Sequence, residues 1–387
     1  MKLKFAVLFL LVLATGSQIF AQPGNGVIKG RVYNPTNNEP VPFANVIIWQ
    51  TQIGAITDFD GNFKFTGVEP GYVKLEVSSL GYETKVTESF MVTNAKPANI
   101  EIPLQEKAEE IEEVVIKASP FRMKKESPVS LRRIGLEQIE KSPGANRDIS
   151  RVIQSFPGVS SSVSFRNDEI VRGGGPSENV FYLDGVEIPN INHFATQGAS
   201  GGPVGIINTD FIREVEFYSG AFPANRGNAL SSVLEFQQVT GNTDQLEIQG
   251  AIGASEASLT FDGPVTDNTS FIFSARRSYL QLLFQVFELP FLPTFNDFQF
   301  KTKTKFDQKN ELTLIGLGAI DDFRLNKDAN ETESQRYILD FIPVNEQNNY
   351  TIGAVYKHYR DNSYDTYVVS RNFLDNRSYK YQDNIEV

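Results

Sequence analysis

The chain has 387 residues, enough for two or three domains with separate cores, and its formal net charge is −11. It contains no cysteine, so these residues form neither disulfides nor thiolate metal sites. The acidic charge argues against nucleic-acid binding, because neutralising phosphates requires clustered Lys and Arg. The sequence has only two histidines and neither a Walker-type phosphate loop nor a His-Glu-x-x-His motif. We therefore expect no enzyme activity, no cofactor, no metal ion and no nucleic-acid partner.

Residues 1–21 have the pattern of a cleavable signal peptide. Two lysines precede an apolar run from Phe5 to Ala14, and Ala21 supplies a small residue before the expected cleavage site. The apolar run is about ten residues long, whereas a spanning helix needs about 20. We expect the mature protein to begin at Gln22. Since later apolar stretches are interrupted, any membrane crossing would require a closed β-barrel.

Residues 22–105 alternate short apolar segments with turns, which predicts an all-β sandwich. The expected strands include Val27–Val32, Ala44–Trp49, Asn62–Phe65 and Tyr72–Val77. The segment from Asp58 to Asn62 contains two aspartates and could also be interpreted as a calcium loop. The ligand order of an EF-hand is missing, so we expect a plain hairpin turn there.

Residues 106–127 form a charged linker that contains a short β-prone segment, Val114-Val115-Ile116, after several glutamates. Two interpretations remain open from the residues themselves. The segment could be an ordinary spacer or the last strand of the sandwich. It could also be an exposed, β-branched segment that a partner protein captures as an added strand.

Residues 128–240 mix helical and strand patterns, which predicts an α+β domain. Helices are expected at Leu136–Lys141 and Arg147–Ser155, and strands at Val180–Leu183 and Val215–Tyr218. The most informative stretch is RGGGPSENVFYLDG, which begins at Arg172. Its glycines permit positive φ, and the Asp-Gly at its end is a strong turn signal.

From residue 241 the pattern becomes long alternating strands. Phe298 and Phe300 face one way while Lys301 and Lys303 face the other, so one face tolerates lipid and the other requires water. The pattern is typical of an outer-membrane β-barrel, with a soluble sandwich as the alternative. Further strands are expected near Leu246–Ala254, Ser270–Tyr279, Glu311–Ile320, Tyr350–Tyr359 and Tyr364–Phe373.

The order of these motifs resembles the plug domain of TonB-dependent outer-membrane receptors. The segment before it, with VPFANVII, TDFDGNFKF and SSLGYE, resembles the carboxypeptidase-regulatory-like domain of Bacteroidetes receptors, and residues 261–280 resemble the first barrel strands. The expected fold is therefore mostly β: an N-terminal sandwich, an α+β plug and an incomplete antiparallel transmembrane barrel. The residues that match the plug motif are Pro157, Gly158, Arg172, Gly173, Gly174, Asp184, Gly185, Gly220 and Gly227.

The resemblance also implies partners and a location. It implies an outer-membrane receptor that contacts outer-membrane lipid and keeps its N-terminal domain in the periplasm. TonB of the inner-membrane energising complex would bind a candidate Ton box, and an iron chelate, a cobalamin, a glycan or a peptide would be the extracellular ligand taken up actively. The candidate Ton box consists of Glu113, Val114, Val115, Ile116, Lys117 and Ala118.

Residues 241–387 can supply about seven or eight strands, whereas a lumen that holds a plug is associated with about 22. We therefore expect the barrel to be cut short and the chain to be a fragment of a longer receptor. One rival is a hydrolase with Ser200 in a nucleophile-elbow match, Gly198 to Gly202, and His358 as its base. Another rival is an envelope adhesion or assembly protein that transports nothing.

Overall fold

The computed structural model describes residues 24–107, 130–142, 148–161, 166–196, 202–253 and 255–380. The fold is mostly β, with a sandwich, an α+β plug domain and a seven-stranded antiparallel sheet in chain order. This confirms the predicted fold class. The signal-peptide residues and the candidate Ton box lie outside the described ranges.

The sandwich consists of short strands around one apolar core. Its two larger sheets have the orders β4-β1-β9 and β3-β2-β6-β7, and β5 pairs with β8. Alternate side chains such as Ile28, Val46 and Leu75 are fully buried between the sheets. The strands are β1 Gly26–Tyr33, β2 Asn45–Ile48, β3 Gly54–Ile56, β4 Asn62–Val68, β5 Gly71–Val73, β6 Leu75–Ser78, β7 Lys85–Val86, β8 Phe90–Val92 and β9 Ala98–Pro103.

The turn that begins at Asp58 leads from one sandwich sheet to the other. The expectation of a simple hairpin was wrong in this respect, because β3 and β4 belong to different sheets. Gly61 has a φ of +74°, and the Asp58 carboxylate accepts hydrogen bonds from the backbone N–H groups of Asp60 and Asn62 at 3.0 and 2.7 Å. The carboxylate therefore closes the turn.

The plug contains a five-stranded sheet of order β10-β17-β18-β13-β14 with two short helices against it. The first helix has the predicted bounds, and the second lies within the predicted range. The elements are β10 Leu131–Gly135, α1 Leu136–Lys141, α2 Ile149–Gln154, β11 Val159–Ser160, β12 Ile170–Val171, β13 Asn179–Leu183, β14 Val186–Ile188, β15 Asn192–His193, β16 Val204–Gly205, β17 Ile212–Tyr218 and β18 Ser232–Gln238, with 3-10 turns at Pro176–Glu178 and Thr209–Phe211.

The third part is an antiparallel sheet in which each strand pairs with the next along the chain. Gln299 and Lys301 are buried against the plug while Phe298 is exposed, as the alternating pattern predicts. We call this sheet the barrel sheet. Its strands are β19 Glu247–Ile252, β20 Glu256–Thr266, β21 Thr269–Ser278, β22 Phe291–Lys305, β23 Asn310–Leu325, β24 Val344–Tyr359 and β25 Tyr364–Tyr379.

Two helices that the sequence did not predict lie in the loops of the barrel sheet: α3 Leu280–Val286 and α4 Glu333–Phe341. A capping box between Thr332 and Gln335 begins α4. In the described ranges, no helix is both long and apolar enough to cross a membrane.

The ends of the barrel strands opposite to α3 and α4 lie beside the sandwich, where Asn38 donates a hydrogen bond to the backbone oxygen of Gln308 at 2.8 Å.

The plug core continues into the inner face of the barrel sheet. Buried plug residues such as Leu183 and Val186 share one hydrophobic cluster with Ile315, Leu317 and Val355 of the barrel sheet. The backbone of the sheet also approaches closely, because a Cβ on Gly353 would lie 2.6 Å from a methyl group of Val186. The plug is therefore packed directly against the barrel sheet.

Candidate functional site

The plug motif is assembled from three segments that are distant in sequence. Arg172 has a φ of +52° and Gly173 a φ of +81°, and the Arg172 N–H donates a 2.8 Å hydrogen bond to the backbone oxygen of Gly158. The guanidinium of Arg172 donates to the hydroxyl of Ser219 at 3.2 Å. A Cβ on Gly220, whose φ is +149°, would lie 2.9 Å from that guanidinium. The glycines thus permit both the turn and the approach of Arg172.

The room available for a side chain explains the glycine at position 174 of the motif but not the glycine at position 227. A Cβ on Gly174 would lie 2.4 Å from Oγ of Ser231 and 2.6 Å from a carboxylate oxygen of Glu178. Ser231 cannot easily move, because its hydroxyl donates a 2.6 Å hydrogen bond to the backbone oxygen of Val171. A Cβ on Gly227 would meet no atom within 4 Å, so packing gives no reason for glycine there.

The predicted Asp-Gly turn joins β13 to β14 and also contacts the barrel sheet. Asp184 and Gly185 have φ values of +48° and +86°, which suit a tight hairpin turn. One carboxylate oxygen of Asp184 accepts a 3.0 Å hydrogen bond from the N–H of Gln238. The other forms a 3.0 Å ion pair with Lys301 of β22, whose side chain is only 8% exposed. Asp184 therefore closes a turn and forms an ion pair with the barrel sheet.

A second set of buried charges connects the plug to the barrel sheet, and we call it the His193 cluster. It consists of His193 on β15 with Asp297 on β22, Asp321 on β23 and Arg276 on β21. Nδ1 of His193 lies 2.6 Å from Asp321, and Nε2 lies 3.1 Å from Asp297. The side chains of His193 and Asp321 are 0% exposed, and that of Asp297 is 1% exposed.

Arg276 completes the His193 cluster. Its Nε donates to Asp297 at 2.8 Å, and its terminal nitrogen donates to the backbone oxygens of Gly205 and Ile206 at 2.7 and 3.0 Å. The imidazole of His193 also stacks on the ring of Phe295 at a centroid distance of 4.0 Å. Side chains from three neighbouring barrel strands thus fix one hairpin of the plug.

The charges around His193 set its protonation. Burial alone would lower the pKa of the imidazole, but the nearby carboxylates of Asp321 and Asp297 and the hydrogen bonds to them raise it above its ordinary value. The imidazolium is therefore favoured while the plug is docked.

A third contact fixes the sandwich to the barrel sheet. The largely buried carboxylate of Glu101 on β9 lies 2.8 Å from the ammonium of Lys303 and 2.5 Å from that of Lys305, both on β22. Burial opposes ionisation of Glu101, but the two lysines outweigh it and hold the pKa of this carboxyl well below its usual range. Lys29 and Asp244 form a further ion pair across the same boundary.

Two other predicted sites are not placed by the structure. The candidate Ton box and Ser200 lie outside the described residues. His358 lies on β24, where its Nδ1 contacts the side-chain oxygen of Asn310 at 2.8 Å.

The sequence alone did not predict the His193 cluster or the partner of Asp184. His193 precedes its partners Asp297 and Asp321 by 104 and 128 residues, so no local spacing relates them. A signal was nevertheless present. Asp297 and Lys301 lie on the water-facing side of the alternating pattern in β22, which is the side that faces the plug.

Two family comparisons match consecutive parts of the chain. A CarboxypepD_reg-like domain matches residues 28–116, and the TonB-dependent Receptor Plug Domain matches residues 123–233. The two matches, in this order, support a TonB-dependent receptor of the Bacteroidetes type. The first match overlaps the candidate Ton box at residues 113–116.

Curated relatives agree with the family. TonB-dependent receptor P3 of Formosa agariphila is 31% identical over 111 residues, which is 29% of this chain and 10% of that receptor. TonB-dependent receptor SusC of Bacteroides thetaiotaomicron is 22% identical over 273 residues, or 67% of this chain and 26% of SusC. The chain therefore spans about a quarter or less of the length of these relatives.

Solved structures of siderophore receptors match part of the chain at low identity. The siderophore receptor PirA of Pseudomonas aeruginosa is 15% identical with a TM-score of 0.45, covering 65% of this chain and 41% of that one. A point mutant of the ferric enterobactin receptor PfeA of the same species, solved with enterobactin, is 16% identical with a TM-score of 0.47, covering 64% of this chain and 41% of that one.

Proposed function

We propose that this receptor takes up a nutrient actively across the outer membrane and catalyses no reaction. The observation that carries the proposal is the position of the plug. Its core continues into the inner face of the barrel sheet, and buried ion pairs hold it there. A domain packed in this way would obstruct the lumen of a closed barrel, so passage of a ligand would require the plug to move.

The work of moving the plug would come from the inner-membrane proton gradient through TonB. The proposed contact is strand addition at the candidate Ton box, since Val114 to Ile116 are β-branched and lie in a charged linker. The sandwich would then lie in the periplasm, and the ligand would bind at the opposite end of the barrel, where α3 and α4 lie. The lipid-facing side chains of the barrel sheet would contact outer-membrane lipid.

The ligand would be an iron chelate, a cobalamin, a glycan or a peptide. Which of these classes it is depends on loops whose chemistry follows no local motif. Growth of a deletion strain and its parent on single nutrient sources identifies the nutrient. Uptake of that nutrient is then measured with and without TonB. We expect uptake to be lost without TonB. Undiminished uptake without TonB would contradict energised transport, whereas a deletion strain that grows like its parent on every nutrient would favour a non-transporting envelope protein.

A further inference from the structure

The His193 cluster contains more acceptors than a neutral histidine can satisfy. A neutral imidazole has one N–H and one acceptor nitrogen, whereas ionised carboxylates only accept hydrogen bonds. Both ring nitrogens of His193 lie within hydrogen-bond distance of a carboxylate, at 2.6 Å from Asp321 and 3.1 Å from Asp297. The arrangement therefore requires one additional proton, which the imidazole and the two carboxylates share.

We propose that His193 positions the plug as a proton-dependent latch: the protonated cluster holds the β15–β16 hairpin against the barrel wall, and loss of the proton loosens it. The proposal deepens the proposed transport function and rests on it for its consequence, because a loosened plug is easier to displace. The latch itself depends only on the contacts between plug and barrel.

Charge balance supports the latch. The carboxylates of Asp297 and Asp321 are almost inaccessible to solvent. Arg276 supplies one positive charge to them and pairs also with Glu256 at 3.4 Å, whose side chain is 29% exposed and partly solvated. With an imidazolium the two buried carboxylates face two cations. With a neutral imidazole one negative charge is left in excess, which is unfavourable in a buried site.

The residue after His193 has an unfavourable backbone conformation, which can relax when the latch opens. Phe194 has a φ of +54°, which is unfavourable for an aromatic L-residue, and its N–H donates a 2.7 Å hydrogen bond to Asp321. The same carboxylate therefore binds the His193 ring and holds the strained residue after it. Arg276 fixes the other strand of the hairpin through the backbone oxygens of Gly205 and Ile206.

The direction of the pH dependence follows from the charged groups that face the hairpin. These are Asp321, Asp297 and Arg276, then Glu256 behind Arg276, and Asp148 of the plug, which accepts a 3.0 Å hydrogen bond from the N–H of Gly205. The pKa of His193 is raised in the docked plug. A raised pKa means that the stabilisation is complete below the ordinary histidine pKa and is lost as the pH rises through the raised value.

Hydrogen exchange of the full-length receptor in detergent micelles tests the latch without TonB or ligand. Protection of peptides that contain β15 and β16 is measured from pH 6.5 to 9.5 and corrected for the chemical exchange rate. In the wild type, we expect protection to fall by up to about tenfold per pH unit between the ordinary histidine pKa and the raised pKa of docked His193, and to level off above it. The His193→Gln variant should show lower protection that does not vary with pH. His358→Gln should retain the wild-type profile.

A wild-type protection that does not vary with pH would overturn the proposal, as would the same pH profile in His193→Gln. If His193→Gln does not fold, Asp321→Asn provides the second test. Removing a carboxylate that favours the imidazolium should shift the loss of protection to lower pH, and an unchanged midpoint would contradict the latch. Because TonB and ligand are absent, this result is independent of whether the receptor transports.

Discussion

Gly174 stands where the plug has no room for a side chain. Its Cβ would lie 2.4 Å from the hydroxyl of Ser231, which is held by a hydrogen bond to Val171. We expect Gly174→Ala to lower the free energy of unfolding of the plug by about 1–3 kcal/mol, the usual effect of overpacking. Chemical denaturation of the purified full-length receptor, followed by hydrogen exchange of plug peptides, measures the change. Gly227→Ala is the matched control and should change stability little, since the space around Gly227 is open.

The ion pair between Asp184 and Lys301 supports a second prediction. Asp184→Asn keeps the shape of the side chain but leaves the buried ammonium of Lys301 without its countercharge. We expect this change to destabilise the docked plug by about 3–5 kcal/mol, because breaking one side of a buried pair leaves an uncompensated charge. The free energy of unfolding from denaturant titration of the full-length receptor checks it.

An exposed pair in the same protein provides the control for Asp184. Lys309 and Asp361 lie 3.1 Å apart with side chains 58% and 88% exposed. Asp361→Asn should change stability by about 1 kcal/mol at most, the range of surface ion pairs. Equal effects of the two substitutions would contradict the role of burial.

The sequence predicted the backbone conformation of single residues better than it predicted which residues they contact. The Asp184-Gly185 turn follows from local chemistry, because Asp and Gly tolerate the positive φ values that the hairpin requires. The contact of Asp184 with Lys301 does not follow from it, since the register between plug and barrel is a property of tertiary packing. The same reason explains why the His193 cluster was missed.

At the scale of elements, the contact between β9 of the sandwich and β22 of the barrel sheet depends on Glu101. We expect Glu101→Gln to weaken docking of the sandwich by about 1–3 kcal/mol, because Lys303 and Lys305 lose their shared carboxylate while Lys303 keeps Glu311 at 3.3 Å. The rate of disulfide formation between cysteines at Asn99 and Asn242, whose side chains lie 3.4 Å apart, should fall. The 387-residue chain has no cysteine of its own to interfere.

Glu69→Gln is the control for Glu101, because Glu69 is an exposed residue of the same sandwich. It should leave the crosslinking rate unchanged. The pKa of Glu101 is lowered, so its contribution is present above the ordinary carboxyl pKa and is lost only as the pH falls through the lower value. Thiolate formation itself varies with pH, so the rate is compared with that of Glu101→Gln at the same pH. The ratio of the two rates should be the same at pH 5 as at pH 7, and a ratio that falls toward one at pH 5 would contradict the ion-pair assignment.

Elements with a clear period were predicted well. Helix α1 has the expected bounds, and the alternation in β22 placed the correct side chains against the plug. Helix α3 was missed because its short apolar stretch runs into Pro290 and Pro293, which argue against a continuous element. Its seven residues carry no charge that would reveal an amphipathic period, so packing against β22 decides its conformation.

At the scale of the whole molecule, three sets of buried charges join parts that the sequence describes separately. Asp184 and His193 connect the plug to the barrel sheet, and Glu101 connects the sandwich to it. The residues that hold the plug are thus distinct from the linker segment that we propose TonB binds. Pulling on the linker would have to overcome these contacts before the lumen opens.

Binding of the periplasmic domain of TonB to the full-length receptor tests the central claim most directly. Val115→Pro removes a backbone N–H that strand addition would use in the middle of the candidate Ton box, whereas Lys125→Pro removes a backbone N–H from the linker outside it. We predict that Val115→Pro abolishes TonB binding and nutrient uptake without changing ligand binding, and that Lys125→Pro retains all three. TonB binding and uptake at the wild-type level in Val115→Pro would contradict the account.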